Sequence, residues 1–234
     1  MTTLVVEQPN YLPWLGYFDL LDRADLWVWY DEVQYTRRDW RNRNRVAGGG
    51  EPVWLTVPVR ARGHRDLRIC DVEIDRRQAW ERKHLATLRH LYGKAPFFDP
   101  VFDLVRRHVE AAPPLLADLT TGLTEELCRY LGVEATFLRS SRIDGIEGPK
   151  QDRILSVCRR LGPDVYLSGP AARDYLQPAA FDAEGIELRY IAYRYDDYPR
   201  GDQPARTDLS ILDALFFIGP GATLDLIRRN PDRG

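Results

Sequence analysis

The opening stretch, Thr3 to Asp31, constrains the fold more than any other part of the chain. Thr3–Val6 is short, apolar and β-branched and stops at Glu7-Gln8, which reads as a buried strand. Pro9 and Pro13 then force an extended loop, because each fixes its own φ and disfavours helix in the residue before it. From Trp14 to Arg23 the apolar positions Trp14, Leu15, Phe18, Leu20 and Leu21 suit a helix, and Asp25–Tyr30 is a second strand ending at Asp31. Strand, loop, helix and strand within about 30 residues is the size of a βαβ unit, whose two strands run parallel. Open parallel sheets bind ligands outside the carboxyl ends of their strands. The start of the chain therefore predicts a site near Gln8 and Asp31.

The remainder alternates in kind. Gln34 to Arg45 is a polar, basic stretch around Trp40; Glu51–Val59 alternates like a strand, and Cys70–Ile74 is a further strand candidate. Gln78–Tyr92 is amphipathic, with Trp80, His84, Leu85, Leu88 and Leu91 returning at helical steps. Pro100–Glu110 and Leu115–Leu131 read as helices separated by Pro113-Pro114, with Gly132 as the C-terminal stop of the second. Thr136–Leu138, Val165–Leu167 and Ile186–Ala192 are strand candidates, and Lys150–Leu161 and Leu209–Phe217 helix candidates. The pattern predicts an α/β fold: a parallel Rossmann-like sheet with flanking helices and a helical insertion. At 234 residues one domain spanning 1–234 is expected, with a possible sub-boundary near 111–115; about 70–75 % of the unfolded chain's surface can be buried at this size.

Composition removes several classes of function. A net charge of −2 argues against a broad nucleic-acid footprint. The three cysteines, Cys70, Cys128 and Cys158, form no CxxC and no cysteine–histidine pairing at zinc spacing, so no metal site is read, and a reduced compartment fits. Cys128 and Cys158 fall inside predicted helices, where cysteine packs. No run approaches the ~20 apolar residues of a membrane span, and Met1 to Val6 lacks the basic start of a signal peptide. A soluble, cytoplasmic protein is expected.

Four constellations carry chemistry. Gln8, Tyr11, Trp14 and Tyr17 place amide and aromatic groups around the proline-stiffened loop; the alternative for Trp14 and Tyr17 is plain helix packing. The basic run Arg37 to Arg45, with Asp31 and Gln34 just upstream, offers guanidinium forks for carboxylate or phosphate through Arg37 and Arg43, and amides at Asn42 and Asn44. Its alternative is a solvated loop. His84 titrates near neutrality and is the candidate general base, against the alternative of a hydrogen-bonded, half-buried histidine; His64, His90 and His108 read as surface residues. Tyr166-Leu-Ser-Gly-Pro-Ala-Ala-Arg-Asp-Tyr-Leu176 is a strand followed by a small-residue turn, with Ser168, Arg173 and Tyr175 as candidate ligand contacts. No phosphate-loop, GxSxG or HExxH pattern is present.

These residues resemble a known family. Gln8-Pro-Asn-Tyr-Leu-Pro-Trp-Leu-Gly-Tyr-Phe18 is similar to the N-terminal signature of the WbqC-like proteins. The likeness continues through Asp31-Glu-Val-Gln-Tyr, Asp39-Trp-Arg-Asn-Arg-Asn, Leu55-Thr-Val-Pro58, Lys83-His84, Tyr92-Gly-Lys94-Ala-Pro-Phe-Phe98, Tyr166 to Pro170, Asp174-Tyr-Leu176 and Leu209 to Phe216. Family members are associated with polysaccharide (O-antigen) and natural-product gene clusters. The resemblance implies amide-forming transfer of an acyl or aminoacyl group, glycyl included, onto an amino sugar or small amine. It also brings Lys94 among the candidate contacts. Where relatives carry Phe-Asn-Cys-Gly, this chain has Phe216-Phe-Ile-Gly219, so no nucleophilic cysteine stands there.

The strand, proline loop and Trp14-Leu-Gly-Tyr17 are similar, further, to the HxGH region of adenylate-forming nucleotidyltransferases, a HUP-like fold, with both histidines replaced. Three readings follow from the sequence. The first is an acyl or aminoacyl transferase acting on a small-molecule amine, with its donor activated as a carrier-protein thioester or aminoacyl-tRNA. In that reading His84 is the base, Asp31 and Gln8 orient substrate, and Tyr11, Trp14 and Tyr17 wall the pocket. The second is an ATP-dependent ligase passing through an acyl-adenylate, and the third a non-catalytic protein that binds a sugar nucleotide or carrier. The sequence specifies no cofactor.

Overall fold

The computed structural model describes residues 1–48, 51–61, 66–111, 113–201, 203–204 and 206–233; His64 lies outside them. Five parallel strands form the main sheet: β1 (Thr3–Glu7), β2 (Leu26–Trp29), β5 (Thr136–Arg139), β6 (Val165–Ser168) and β7 (Glu187–Tyr190), in the order β5-β2-β1-β6-β7. Numbered among themselves along the chain these are strands 3-2-1-4-5, the order of a Rossmann-like sheet. β1 is central, pairing with β2 from Leu4↔Leu26 to Glu7↔Trp29 and with β6 at Thr3↔Val165 and Leu4↔Tyr166. The expected parallel βαβ unit is thus present, with α1 (Leu15–Asp22) as its crossover.

Alternation along β1 assigns its faces. Val5 packs in the core cluster that holds most of α1, α4 (Leu116–Leu131) and α7 (Leu212–Arg228). Leu4 and Val6 pack in a second cluster with α5 (Lys150–Leu161) and Phe181 of α6 (Pro178–Asp182). The first face carries an aromatic layer in which Tyr17 meets Trp27 edge-on with centroids 5.1 Å apart, and Trp29 stacks on Phe137 at 5.8 Å. Burial of Tyr17, Trp27 and Trp29 contributes on the order of 1.5–3 kcal/mol for each.

Between β2 and β5 the chain makes the expected insertion, which covers the carboxyl ends of the strands near β1. It begins with an antiparallel hairpin, β3 (Arg43–Val46) and β4 (Val53–Thr56), paired from Arg43↔Thr56 to Val46↔Val53, and continues through α2 (Trp80–Tyr92) and α3 (Phe98–Ala111) to α4. β3 takes up the end of the basic run, for which a solvated loop is one of the two readings, and Val46 after it. Its period of two is present but disguised: Asn44 and Val46 are buried while Arg43 and Arg45 face out.

The strand expected at Cys70–Ile74 is instead a 3-10 turn over Ile69–Asp71, followed by single bridges from Glu73 to Leu115 and from Ile74 to Val59. Its first backbone donors go to the ends of other segments, Ile69 N to Val33 O and Cys70 N to Asp31 O, so no continuous ladder forms. The same strap holds the Pro113-Pro114 segment, through Ile74 N to Pro114 O and Leu116 N to Val72 O.

The C-terminal helix starts at Leu212, three residues after its expected start, and runs on to Arg228. It bends at Gly219, where φ is 72° and ψ 177°, backbone that only glycine adopts without strain. A Cβ there would come within 2.7 Å of the Phe97 ring. Gly219→Ala is therefore expected to destabilise the fold by about 1–3 kcal/mol from backbone strain, read as a lower thermal midpoint. Adding Phe97→Ala should recover only the steric share. A midpoint unchanged in Gly219→Ala would contradict this account.

Candidate functional site

Strand order reverses between β1 and β6, and there the crossovers leave on opposite faces of the sheet. A cleft of about 390 Å³ opens at this switch point, beyond the carboxyl ends of both strands, lined by Glu7, Trp14, Tyr17, Ser168, Tyr175 and Tyr193 among others. A second lobe of about 340 Å³, lined by Pro13, Asn44, Arg45 and Asp208, shares Asn10, Trp14 and Trp40 with the first. The two lobes adjoin at Asn10, Trp14 and Trp40, with the β3–β4 hairpin along one side of the cleft they make.

The loop that forms this wall is pinned almost residue by residue. The Tyr17 hydroxyl donates to Gln8 O at 2.8 Å, and the Arg41 guanidinium to Asn10 Oδ1. Tyr11 N donates to Trp40 O at 3.0 Å, Asn44 Nδ2 to Leu12 O at 2.7 Å, and Ile211 N to Pro13 O at 2.8 Å. These bonds hold Leu12 at a φ of 48°, a left-handed conformation unusual for a bulky residue. The Trp14 indole folds back over Gly16, where an added Cβ would collide with it. Trp14 is held edge-on to Tyr193 with centroids 4.8 Å apart.

Glu7 is the carboxyl group of the first lobe. By strand alternation it lies on the α1 side of the sheet, at the last position of β1. Burial pushes its carboxyl up to about 7, against the opposing pull of the Arg41 guanidinium and the Gln8 N–H. Tyr17, Tyr166, Tyr175 and Tyr193 all feel its charge, and burial raises each of these phenols above its ordinary range. A carboxyl poised near neutrality in a cleft can accept or donate a proton at physiological pH.

The residues singled out from the sequence divide into two groups. Trp14, Tyr17, Asn44, Ser168 and Tyr175 line the cleft. Asn44 is also a structural pin, its Oδ1 accepting from Arg45 N at 2.8 Å. Gln8 anchors Tyr17 through its carbonyl. Asn42 is buried and donates to Val57 O at 2.7 Å. Arg43 lies on the hairpin beside the cleft, its guanidinium 4.2 Å from the Trp54 ring centre. Arg37 is exposed and donates to Ala61 O, while Gln34 is exposed and bridges Arg68. Lys94 is exposed in the turn after α2. Arg173 lies over the Tyr190 ring at 4.3 Å and lines a separate groove along β6 and β7.

Asp31 is fully buried, and both its carboxylate oxygens accept from the Ser140–Ser141 turn, at 3.0 to 3.3 Å. It closes the end of β2 onto the end of β5, away from the cleft. Tyr11 is equally buried and belongs to the His84 cluster.

His84 is the clearest departure from the sequence reading. It is 5 % exposed, and both ring nitrogens are used. Nε2 is 3.2 Å from the Thr56 carbonyl, which only accepts, so Nε2 carries the proton and Nδ1 accepts from the Tyr11 hydroxyl at 3.0 Å. Burial pulls its pKa down to about 4. This neutral imidazole is a cross-brace between α2, the hairpin and the N-terminal loop, and it lines neither lobe. His84→Ala leaves the buried Tyr11 hydroxyl without its partner, a loss of about 1–3 kcal/mol. A lowered thermal midpoint is expected; a midpoint unchanged in the variant would contradict the bracing role.

Of the groups that complete the cleft, Glu7, Asn10 and Tyr193 are not among the residues that the sequence singles out. A charged side chain closing an apolar parallel strand was the available signal for Glu7. Among the described residues no group of three or more His, Cys, Asp or Glu side chains could hold a metal ion. No helix among them is long and apolar enough to cross a membrane.

Comparison with known proteins agrees with the motif resemblance. The WbqC-like protein family matches residues 8–224. Uncharacterized protein Rv1507c of Mycobacterium tuberculosis is 35 % identical over 227 residues, covering 95 % of this chain and 96 % of that protein. No solved structure matches.

Proposed function

The chain belongs to the WbqC-like protein family, and from that premise and the geometry of the cleft we propose an enzyme that transfers an acyl or aminoacyl group from an activated donor to an amine, with Glu7 as the proton acceptor. The observation that carries the reading is the Glu7 carboxyl, raised to about 7 by burial at the switch-point cleft. The amine nitrogen attacks the acyl carbon. As the C–N bond forms, the bond to the donor's thiol or hydroxyl breaks, Glu7 takes the proton from nitrogen, and it returns that proton to the departing sulfur or oxygen. Atoms balance without a further reactant.

Trp14 and Tyr17 favour this over the adenylating reading. They line the cleft where the nucleotidyltransferase resemblance implies two histidines, yet one is an indole and the other a phenol already donating to Gln8 O. Neither supplies a positive charge to a pentavalent phosphate. The donor therefore arrives already activated.

The test is mass spectrometry of the purified protein incubated with carrier-protein thioesters or aminoacyl-tRNA donors and a panel of amines and amino sugars. An amide product is expected, formed with loss of the donor's leaving group. Donors recovered unconsumed across the panel would sink the proposal.

A further inference from the structure

The hairpin beside the cleft carries a feature that the reaction proposed above does not use. Trp40 and Trp54 are 40 % and 43 % exposed, unusual for large aromatic residues, with ring centroids 5.5 Å apart. Arg43 lies 4.2 Å over the Trp54 ring, and Arg45 lies 5.5 and 5.8 Å from the two ring centres. The four side chains form a loose stack of indole and guanidinium groups on the outer face of the hairpin, the two indole planes tilted 33° to one another. Among the described residues Arg43 has no carboxylate at contact distance, its guanidinium donating instead to the Arg38 carbonyl. Arg45 pairs with Asp208 at 3.0 Å, but Asp208 also pairs with Arg206 at 2.9 Å, so an incoming anion can take Arg45 without stranding the carboxylate. On a chain of net charge −2 this is a local cationic and aromatic patch, and Trp40 joins it to both lobes of the cleft.

We infer that this stack seats a nucleoside 5′-diphosphate group carried by one of the two substrates. Indole and guanidinium planes accept a nucleobase by stacking, and the arginine forks match the diphosphate oxygens. The rest of that substrate then extends past Trp40 and Trp14 into the Glu7 lobe. The handle belongs either to a nucleotide-linked acceptor or to a coenzyme-A-type donor, which share this chemistry. A polynucleotide fits less well, since one hairpin patch on an acidic chain lacks the footprint that it needs. The inference rests on the proposed reaction only for what lies at the Glu7 end.

Calorimetric titration of the whole protein with UDP, dTDP, GDP, CDP, ADP, coenzyme A, pyrophosphate and a CCA oligonucleotide tests it. At least one nucleotide is expected to bind at micromolar concentration, and which one binds separates the two sources. Arg43→Ala and Trp54→Ala, both on the outer face of the hairpin and checked for folding by circular dichroism, should each weaken binding about tenfold or more, the scale of one lost stacking contact. Glu7→Gln should leave binding unchanged. Several results overturn the seat: no nucleotide binding at millimolar concentration, pyrophosphate binding as tightly as any nucleotide, tighter binding of the oligonucleotide, or binding indifferent to both hairpin variants. Nucleotide binding without any amide product sinks the proposed reaction and leaves the seat standing. Amide formation without nucleotide binding does the reverse.

Discussion

Replacing Glu7 by glutamine is expected to lower turnover by about 10²–10⁴-fold, the usual worth of a positioned general base, while the protein remains folded. The amide keeps the size of the side chain and one accepting oxygen but cannot accept a proton. In the parent protein the rate should rise with pH through about 7, as the carboxyl ionises, and this inflection should vanish in the variant. Stability supplies an independent check. The Glu7 carboxyl titrates near 7 in the fold against 4.5 in its unperturbed state. The folded state therefore holds a proton that the unfolded state has released, and the stability contributed is full below about 4.5 and lost as the pH rises to 7.

His84 acts in the opposite sense. Its pKa is lowered from 6.5 to about 4, so its contribution is present above 6.5 and lost as the pH falls toward 4. The two slopes oppose one another in the parent protein between about 4.5 and 6.5. Glu7→Gln should expose the His84 slope, giving a midpoint that climbs with pH over that window. Full turnover in Glu7→Gln, or a rate inflection that survives in it, would remove Glu7 from the mechanism.

Asp213→Ala should be the most damaging single change to the fold. Asp213 is fully buried and accepts from four directions: the Tyr92 hydroxyl at 2.8 Å, the Tyr198 hydroxyl at 2.7 Å, and Arg200 through Nε at 2.6 Å and Nη2 at 2.9 Å. Tyr92 in turn accepts from Ala47 N at 2.7 Å, so one carboxylate ties α7 to α2, to the end of the hairpin strand and to the segment at 198–200. Removing it strands a guanidinium that is itself buried, a loss of about 3–5 kcal/mol from a total that is only about 5–15 kcal/mol for a folded domain. A fall of about 10 °C or more in the thermal midpoint is expected. The double variant Asp213→Leu with Arg200→Met should regain part of that fall, because it removes both charges together. A drop of only one or two degrees in Asp213→Ala would show that the pair contributes little.

The sheet was readable from the sequence because its signals are local. Apolar runs such as Leu4–Val6 and Trp27–Trp29, the prolines that end helices and loops, and Gly132 in its left-handed cap conformation (φ 79°) all act over a few residues. The site was only half readable. Loop residues Trp14 and Tyr17 announced themselves, but the raised pKa of Glu7 depends on a pocket closed by the end of β6 and Tyr193, far from it in the chain. His84 misled for an instructive reason. The four-residue steps that single it out, Trp80, His84 and Leu88, are the stripe that α2 buries; the period that drew attention to the histidine is the one that takes it out of reach. Of the hairpin, β4 falls within the strand read at Glu51–Val59, but β3 escaped because its inward Asn44 is polar, its amide satisfied by Leu12 O and Arg45 N.

The placement of β1 at the centre of the sheet bears on how the protein is made. Its neighbour β2 follows directly, but the pairing of Thr3 with Val165 waits until most of the chain has been synthesised. Glu7 thus leaves the ribosome well before the strand that completes its surroundings. Such long-range parallel pairing is slow to form, and until β6 docks, one edge of β1 stands open to wrong partners. Nascent chains halted before β6 should therefore hold the βαβ unit with neither the cleft nor the shifted carboxyl, and proton-transfer capacity should appear only when the second half of the sheet closes on the first.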